Sequence, residues 1–193
     1  MVLSTGPKKI KCSVFISGNG SNLKSLIQFS KKKKSPISIE LIVSDNAKAK
    51  GLKFGKIFKI SNKVFSYKNK LITEKKIISE IKNKKIKLIC LAGFMKILSK
   101  SFIKNFKGKI LNIHPSLLPK YKGLNTHHRA ILNGEKYSGC TVHFVNSRLD
   151  SGKIILQKKV KINKFDTAKS LAKKILIQEH KLYPKAISKV FNL

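Results

Sequence analysis

Compact apolar runs and helix-spaced apolar positions alternate along the first half of the chain. Residues 10–17 (IKCSVFIS), 37–43 and 88–92 are short runs rich in β-branched and other apolar residues, so each is predicted to form a buried strand. Residues 22–30 and 70–84 instead repeat apolar side chains at helical spacing, which predicts amphipathic helices. Strands and helices that alternate in this way indicate a mostly parallel sheet.

The same alternation continues through the middle of the chain. A helix is predicted at residues 99–106, begun by a serine cap, and a strand follows at 109–113. Residues 57–60 add an apolar stretch before the 70–84 helix. The buried face of that helix is predicted to comprise Leu71, Ile77, Ile78 and Ile81.

The second half of the chain departs from this alternation. After a proline-containing loop, a short helix at 126–133 is predicted to end at Gly134. Two strands follow at 139–146 and 154–162, and the loop between them holds Asp150. Consecutive strands joined by a short loop favour antiparallel pairing.

A last helix is predicted near the end of the chain. Asp166 and Thr167 are expected to cap it, and it is expected to stop at about Tyr183, before Pro184, with a further helical piece reaching residue 191. The predicted fold class is therefore α/β, a doubly wound, mostly parallel sheet with helices on both faces and antiparallel pairing in the C-terminal half. Residues 1–193 are expected to form a single domain.

Lysine dominates the charge. The 193 residues include 43 Lys+Arg against 8 Asp+Glu, a formal net charge of +35. Only Arg129 and Arg148 are arginine, whereas surfaces that read bases or clamp phosphates favour the guanidinium group. Two interpretations stay open: an A/T-biased coding sequence that spreads lysine over a solvated surface, or selection for a polyanionic partner.

The remaining composition indicates whether the chain folds and in which compartment it is expected. Hydrophobic residues make up 41% of the chain, which permits a folded core and argues against disorder. No run of 18 apolar residues occurs, and the first residues do not read as a secretory signal. Cys12, Cys90 and Cys140 lie far apart among apolar neighbours, which predicts buried free thiols. We therefore expect a cytoplasmic protein without a membrane span.

A glycine-rich segment, residues 17–22 (SGNGSN), joins the first predicted strand to the first predicted helix. Backbone N–H groups at a helix start favour an anion, and glycine lets the backbone approach a phosphate closely. The dinucleotide pattern G-x-G-x-x-G fails because Leu23 stands at the third glycine position. A monophosphate is the predicted ligand, and a tight turn without a ligand is the alternative.

Asn112 and His114 lie two residues apart at the end of a predicted strand. Residues two apart share a face, so both side chains are expected at the carboxyl end of the sheet, where open α/β folds bind ligands. An amide beside an imidazole can stabilise an oxyanion and move a proton, although such pairs are often structural. Asp150, in a later loop, is either a carboxylate partner for the imidazole or a simple turn residue.

The remaining histidines give weaker signals. His127 and His128 are adjacent and diverge on a helix, so they cannot form the i, i+4 pair of a metal site, and no metal is predicted. His143 alternates with apolar neighbours on a strand and is predicted to be a core or interface histidine.

Taken together, these strings resemble the glycinamide ribonucleotide formyltransferases, the folate-dependent formyl transfer enzymes of purine synthesis. The resemblance runs from about residue 10 to residue 180. It rests on ISGNGSNL at 16–23, LAGFMKILS at 91–99, LNIHPSLLP at 111–119, VHFV at 142–145 with LDSG at 149–152, and QEH at 178–180. It implies formyl transfer from 10-formyltetrahydrofolate to the amine of glycinamide ribonucleotide, two small-molecule substrates, no metal, no specific nucleic acid, and a monomer or homodimer.

The resemblance also implies roles for individual residues. It makes Asn112, His114 and Asp150 catalytic, with a protonated His114 and the Asn112 amide donating to the formyl oxygen. It assigns the ribonucleotide to Gly20, Ser21, Asn22 and Glu179. It assigns the folate to Met95, Lys96, Ile97, Leu98, Val145, Asn146, Ser147, Arg148 and Leu149.

Three positions depart from the pattern of that family. Lys96 stands where arginine is frequent, so a fork-shaped contact would become a point-charge contact. Lys122 and Asn125 replace the proline and the first histidine expected in the loop before residues 126–127.

Three other readings compete with this one. Methionyl-tRNA formyltransferase shares the strings around Asn112, His114 and Asp150, but it lacks the 17–22 loop and is expected to carry a further domain, for which 193 residues leave no room. A folate hydrolase of the same superfamily would release formate to water. A non-catalytic nucleic-acid-binding protein would not require the three residues together.

Overall fold

Seven strands form one sheet in this computed structural model, which describes residues 9–192. In chain order the strands are β1 (Ile10–Ile16), β2 (Ile37–Ser44), β3 (Ser61–Val64), β4 (Leu88–Leu91), β5 (Lys109–His114), β6 (Tyr137–Phe144) and β7 (Ile154–Lys161). Their order across the sheet is β3-β2-β1-β4-β5-β6-β7. Strands β1 to β5 are parallel, whereas β6 pairs antiparallel with β5 and with β7. The predicted fold class is confirmed.

Six α-helices cover the faces of this sheet within the same described residues. They are α1 (Ser21–Ser30), α2 (Lys53–Phe58), α3 (Lys70–Asn83), α4 (Lys100–Asn105), α5 (Thr126–Leu132) and α6 (Ala168–Val190). Two of the expected caps are present: Ser99 accepts the N–H of Phe102 at the start of α4, and Thr167 forms a capping box with Ser170 at the start of α6. Asp166 supports the second cap by accepting from Ser170 Oγ at 2.7 Å.

Both faces of the sheet are buried. On β1, Val14 and Ile16 belong to a core shared with α1 and α6, whereas Phe15 belongs to a core shared with α3 and α4. This two-sided burial explains why the parallel strands read as nearly continuous apolar runs. Because β1 lies between β2 and β4, the strand order reverses there, which is where open α/β sheets form a ligand crevice at their carboxyl ends.

Two details around α3 differ from the sequence prediction. Ile77 and Ile81 are buried as expected, but Leu71 is 64% exposed. Glu74 is buried instead, 4% exposed, and its Oε1 accepts the N–H of Ser99 at 2.9 Å. The apolar stretch at residues 57–60 is not one element, since α2 ends within it and the exposed edge strand β3 begins just after it.

The last helix also differs from the prediction, because α6 runs for 23 residues straight through Pro184. A proline lacks the N–H that would bond to the carbonyl four residues earlier, here that of His180. Ser25 Oγ donates to this carbonyl at 2.8 Å. Tyr183 and Ile187, one on each side of the proline, are fully buried and hold both halves against the sheet. Tertiary packing therefore outweighs the local signal to stop.

The described residues confirm one further expectation from composition. Cys12, Cys90 and Cys140 are buried free thiols, and burial raises the pKa of Cys140 to about 12. Across residues 9–192, no helix is both long and apolar enough to cross a membrane.

Candidate active site

The loop after β1 meets the start of α1 at the crevice. Gly20 takes a left-handed conformation with φ of 71°, and α1 begins at the next residue. The first N–H groups of a helix have no partners inside the helix, so this end of α1 presents donors and the positive end of its dipole. The arrangement suits the monophosphate predicted for residues 17–22.

Gly20 is required by its surroundings as well as by its backbone angle. A Cβ built at Gly20 would lie 2.7 Å from the Cα of Gly51, closer than real contacts allow. Gly51 N–H donates to the carbonyl of Gly18 at 2.9 Å, which holds the two turns together. Only paired glycines permit this approach.

Asn22 and Glu179 form a buried pair at the floor of this loop. Asn22 Nδ2 donates to Glu179 Oε2 at 2.7 Å, and the residues are 8% and 7% exposed. Asn22 Oδ1 is buried without a hydrogen-bond partner among the described residues. Burial raises the pKa of the Glu179 carboxyl, against the lowering effect of the bond from Asn22. The phosphate loop and α6 therefore meet at a polar contact with one acceptor atom unused.

Asn112 and His114 lie on one face of β5, as predicted from their spacing. Their neighbours Leu111 and Ile113 point to the opposite face, into the core with α1 and α6. Asp150 reaches the polar face of β5 from the loop that follows β6. The three residues that the sequence singled out are thus brought together.

Asp150 lies at the centre of the cluster. Its Oδ1 accepts from Asn112 Nδ2 at 3.3 Å, while its Oδ2 lies 3.3 Å from His114 Nδ1 and accepts the N–H of Gly123 at 3.0 Å. Gly152 makes this approach possible, because a Cβ there would lie 1.7 Å from the carbonyl oxygen of Phe144.

His143, predicted from the sequence to be a core or interface histidine, also belongs to the cluster. It is 2% exposed, so its burial agrees with that reading, but its Nε2 lies 3.3 Å from Asn112 Nδ2 and 3.6 Å from Asp150 Oδ1. It is the cross-strand partner of Asn112 in the antiparallel β5–β6 pair. The alternation of apolar residues on β6 predicts only the face to which the His143 side chain points. Its place beside Asn112 depends on the register between β5 and β6, which is a tertiary feature.

Both ring nitrogens of His114 face oxygen atoms. Nδ1 faces Asp150, and Nε2 lies 2.8 Å from the carbonyl of Tyr121. Burial nevertheless lowers the pKa of His114 below its ordinary value of 6.5, against the raising effects of the Tyr121 carbonyl and Asp150. Burial therefore works against the protonated ring implied by the resemblance, whereas the two oxygen neighbours favour it.

Asp150 itself stays ionised. Burial raises its pKa, but the bonds from His143 and the Gly123 N–H, with the charges of His114 and His143, together lower the pKa below its ordinary value. A carboxylate is thus held against the imidazole across the neutral range.

Replacing Asp150 by Asn is expected to lower the pKa of His114 further, because the substitution removes a negative charge that favours the imidazolium ion. An NMR titration of the imidazole resonances should place the His114 midpoint below 6.5 in the native protein, and lower again in Asp150→Asn. An unchanged His114 midpoint would contradict the pairing with Asp150.

The first predicted folate segment follows β4. Met95 and Ile97 are 60% and 61% exposed, whereas Leu98 is 6% exposed and packs into the core, so it offers a ligand little surface. Met95 N–H donates to Ser17 Oγ at 2.8 Å, which ties this segment to the phosphate loop. Lys96 Nζ lies 3.9 Å from Asp45 Oδ2 and keeps its ammonium group partly exposed.

The second predicted folate segment follows β6. Val145 N–H donates to the carbonyl of Ile110 at 2.9 Å, which fixes the start of the segment to β5. Asn146 Oδ1 accepts the N–H of Arg148 at 2.9 Å, and Leu149 is 49% exposed. Ser147 lies between them on the exposed part of the turn.

The two substituted loop positions have clear places in the structure. Lys122 Nζ donates to Ser151 Oγ at 2.7 Å, so it ties its loop to the turn that carries Asp150. Asn125 takes a left-handed conformation, with φ of 56°, immediately before α5. Among the described residues, no group of His, Cys, Asp and Glu is arranged to hold a metal ion.

The sheet is mostly parallel, a glycine turn follows β1, and Asn112 and His114 on β5 lie beside Asp150. This combination fits a group-transfer enzyme. The chain belongs to the formyl transferase family, whose pattern it matches over residues 10–187. It is similar to the phosphoribosylglycinamide formyltransferase of Haemophilus influenzae, with 43% identity over 180 residues that cover 92% of this chain and 85% of that protein.

Two further relatives extend this likeness. The crystal structure of phosphoribosylglycinamide formyltransferase from Brucella melitensis matches with a TM-score of 0.89 and 42% identity, covering 95% of this chain and 96% of that one. The human trifunctional purine biosynthetic protein adenosine-3 is 40% identical over 186 residues, or 95% of this chain. The chain spans only 18% of the length of that larger protein.

Proposed function

We propose that this protein transfers the formyl group of 10-formyltetrahydrofolate to the amino group of glycinamide ribonucleotide. The observation that carries the proposal is the pairing of two features in one crevice: a glycine turn at the start of α1 and the Asn112, His114 and Asp150 cluster. The first suits a monophosphate and the second suits acyl transfer. Relatives that are similar over most of their length carry the name phosphoribosylglycinamide formyltransferase.

The reaction begins when the amine attacks the formyl carbon. A C–N bond forms, and negative charge develops on the formyl oxygen. The Asn112 amide donates a hydrogen bond to that oxygen, an effect on the order of 3 kcal/mol for one well-placed donor. The same amide lies 3.3 Å from Asp150 Oδ1, to which it donates, so the side chain is held at the site.

Proton transfer completes the reaction. The His114 imidazole takes up a proton as the amine becomes positively charged, and Asp150 stabilises the resulting imidazolium ion. The bond from the carbon to N10 of the folate then breaks, and the proton passes to N10, directly or through water. Atoms and charge balance without a covalent enzyme intermediate.

We assign the two substrates to separate parts of the crevice. Gly20, Ser21 and Asn22 hold the phosphate, and Glu179 contacts the ribose beside the unused Asn22 Oδ1. The folate lies against the exposed residues of the two segments that flank β5. The exposed residues are Met95, Lys96, Ile97, Asn146, Ser147, Arg148 and Leu149, with the half-buried Val145 beside them and Leu98 supporting them from the core.

Comparison of acceptors tests this assignment against its rivals. The purified protein should release deformylated folate when given the ribonucleotide, and not when given aminoacylated initiator tRNA or water alone. Equal release of deformylated folate without an acceptor would indicate a hydrolase. Activity confined to the aminoacylated tRNA would indicate a methionyl-tRNA formyltransferase.

The basic surface is expected to bind nucleic acid only through counterion release. Duplex DNA or RNA should bind weakly, without sequence preference, and with an affinity that falls steeply with salt. Ribonucleotide affinity should fall less steeply, since directed N–H bonds at the start of α1 are screened less than exposed charges. Fluorescence anisotropy with labelled duplexes at two salt concentrations measures the first slope. Tight, sequence-selective binding at physiological salt would instead make a polyanionic partner part of the function.

We further infer that the protein works in the cytoplasm as a monomer or homodimer. Its buried free thiols at Cys12, Cys90 and Cys140 suit a reducing compartment.

A further inference from the structure

Pro184 interrupts the hydrogen-bond ladder of α6 beside a proposed substrate contact. Because Pro184 has no N–H, the carbonyl of His180 loses its ordinary helical donor. Ser25 on α1 replaces that donor, with its Oγ 2.8 Å from the His180 carbonyl oxygen. The bond joins residues separated by 155 positions in the chain, so it is a tertiary link and not part of the local helix.

The replaced bond lies next to Glu179. Asn22 and Ser25 are three residues apart and therefore neighbours on one face of α1. Asn22 donates to the Glu179 side chain, and Ser25 donates to the backbone of the next residue, His180. Helix α1 thus holds two consecutive residues of α6 at the turn that the proline has weakened.

We propose that Ser25 is a positioning residue for Glu179. Its hydroxyl fixes the interrupted turn of α6 against α1, so that the Glu179 carboxylate stays beside Asn22 and meets the ribose in a single orientation. The inference rests on the proposed function, in which Glu179 contacts the ribonucleotide. It adds that Ser25 and Pro184 act together, because the Ser25 hydroxyl supplies the hydrogen bond that Pro184 cannot.

Loss of the hydroxyl has a specific consequence. Without Ser25 Oγ, the His180 carbonyl has no donor in a part-buried position, and the turn is free to tilt towards water. The Glu179 carboxylate moves with this turn, whereas β5 and the Asp150 loop do not. Ribonucleotide binding should therefore weaken, while folate binding and the chemical step are unaffected.

Steady-state kinetics of Ser25→Ala tests the proposal. The KM for the ribonucleotide should rise roughly fivefold, because a Glu179 side chain that is no longer held must be ordered when the ligand binds, with kcat and the KM for the folate unchanged. Ser25→Thr, which keeps a hydroxyl, should restore the native KM. Ser30→Ala is the matched control, because Ser30 Oγ bonds only within α1, to the carbonyl of Ile27 at 2.8 Å.

A double-mutant cycle with Pro184→Ala makes the test sharper. Alanine restores an N–H that can reach the His180 carbonyl, so Ser25→Ala should have no effect on KM in that background. An unchanged KM in Ser25→Ala, an equal change of all kinetic constants, or simple additivity in the cycle would each overturn the proposal. Native protein that is inactive with the ribonucleotide would instead contradict the proposed function, so the two failures are distinguishable.

Discussion

Replacement of Asn112 or His114 by alanine is expected to lower kcat by roughly 100-fold or more, while both ligands still bind. Asn112 supplies a donor to the oxygen on which charge develops, so its loss is felt in the transition state and not in the ground state. His114 receives the proton from the attacking amine beside the Asp150 carboxylate. The measurement is kcat by single-turnover kinetics, with the dissociation constants measured separately.

His128→Ala provides the matched control for His114→Ala. His128 is an exposed histidine on α5, so its replacement also removes an imidazole but does not touch the cluster. Its kcat should equal that of the native protein. A His114→Ala variant that keeps most of its kcat would remove the imidazole from the proposed chemistry.

Replacement of Gly20 by valine is expected to lower ribonucleotide affinity by roughly two orders of magnitude. A β-branched residue is strained at a φ of 71°, and its Cβ would lie 2.7 Å from the Cα of Gly51. The turn must therefore open, which displaces the N–H groups that face the phosphate. Calorimetric titration with the ribonucleotide and with a folate analogue separates the two effects, because folate binding should be retained.

Gly134→Ala controls for backbone strain alone. Gly134 also has a positive φ, of 61°, but a Cβ there would meet no described atom within 4 Å, and it lies after α5, away from the phosphate turn. This variant should lose some stability and keep full ribonucleotide affinity. If Gly20→Val binds the ribonucleotide normally, the loop is only a turn.

Local patterns were sufficient to predict most of the sheet. The strands at β1, β2 and β4 are compact apolar runs because both their faces are buried, and such runs are visible without knowledge of the fold. The spacing of Asn112 and His114 likewise gave their shared face. Their contacts on that face could not be predicted from spacing, because they depend on the loop that brings Asp150 back over β5.

Long-range contacts account for the errors. The helix was expected to stop before Pro184, but its missing bond is replaced by Ser25, a residue no local rule connects to it. The burial predicted for His143 is confirmed, but its place beside Asn112 depends on the register of an antiparallel pair, which no local pattern predicts. Leu71 fits the helical period, but it lies outside the buried face of α3, where Glu74 is buried and bonds to Ser99.

The most direct measurement follows the formyl carbon itself. Protein supplied with 10-formyltetrahydrofolate labelled with carbon-13 at the formyl group, together with glycinamide ribonucleotide, should produce N-formylated ribonucleotide that carries the label, in a one-to-one ratio with deformylated folate by mass spectrometry. Asn112→Ala should form this product at a rate lower by roughly 100-fold. Label recovered as free formate, or a ribonucleotide that stays unlabelled while the folate loses its formyl group, would contradict the account.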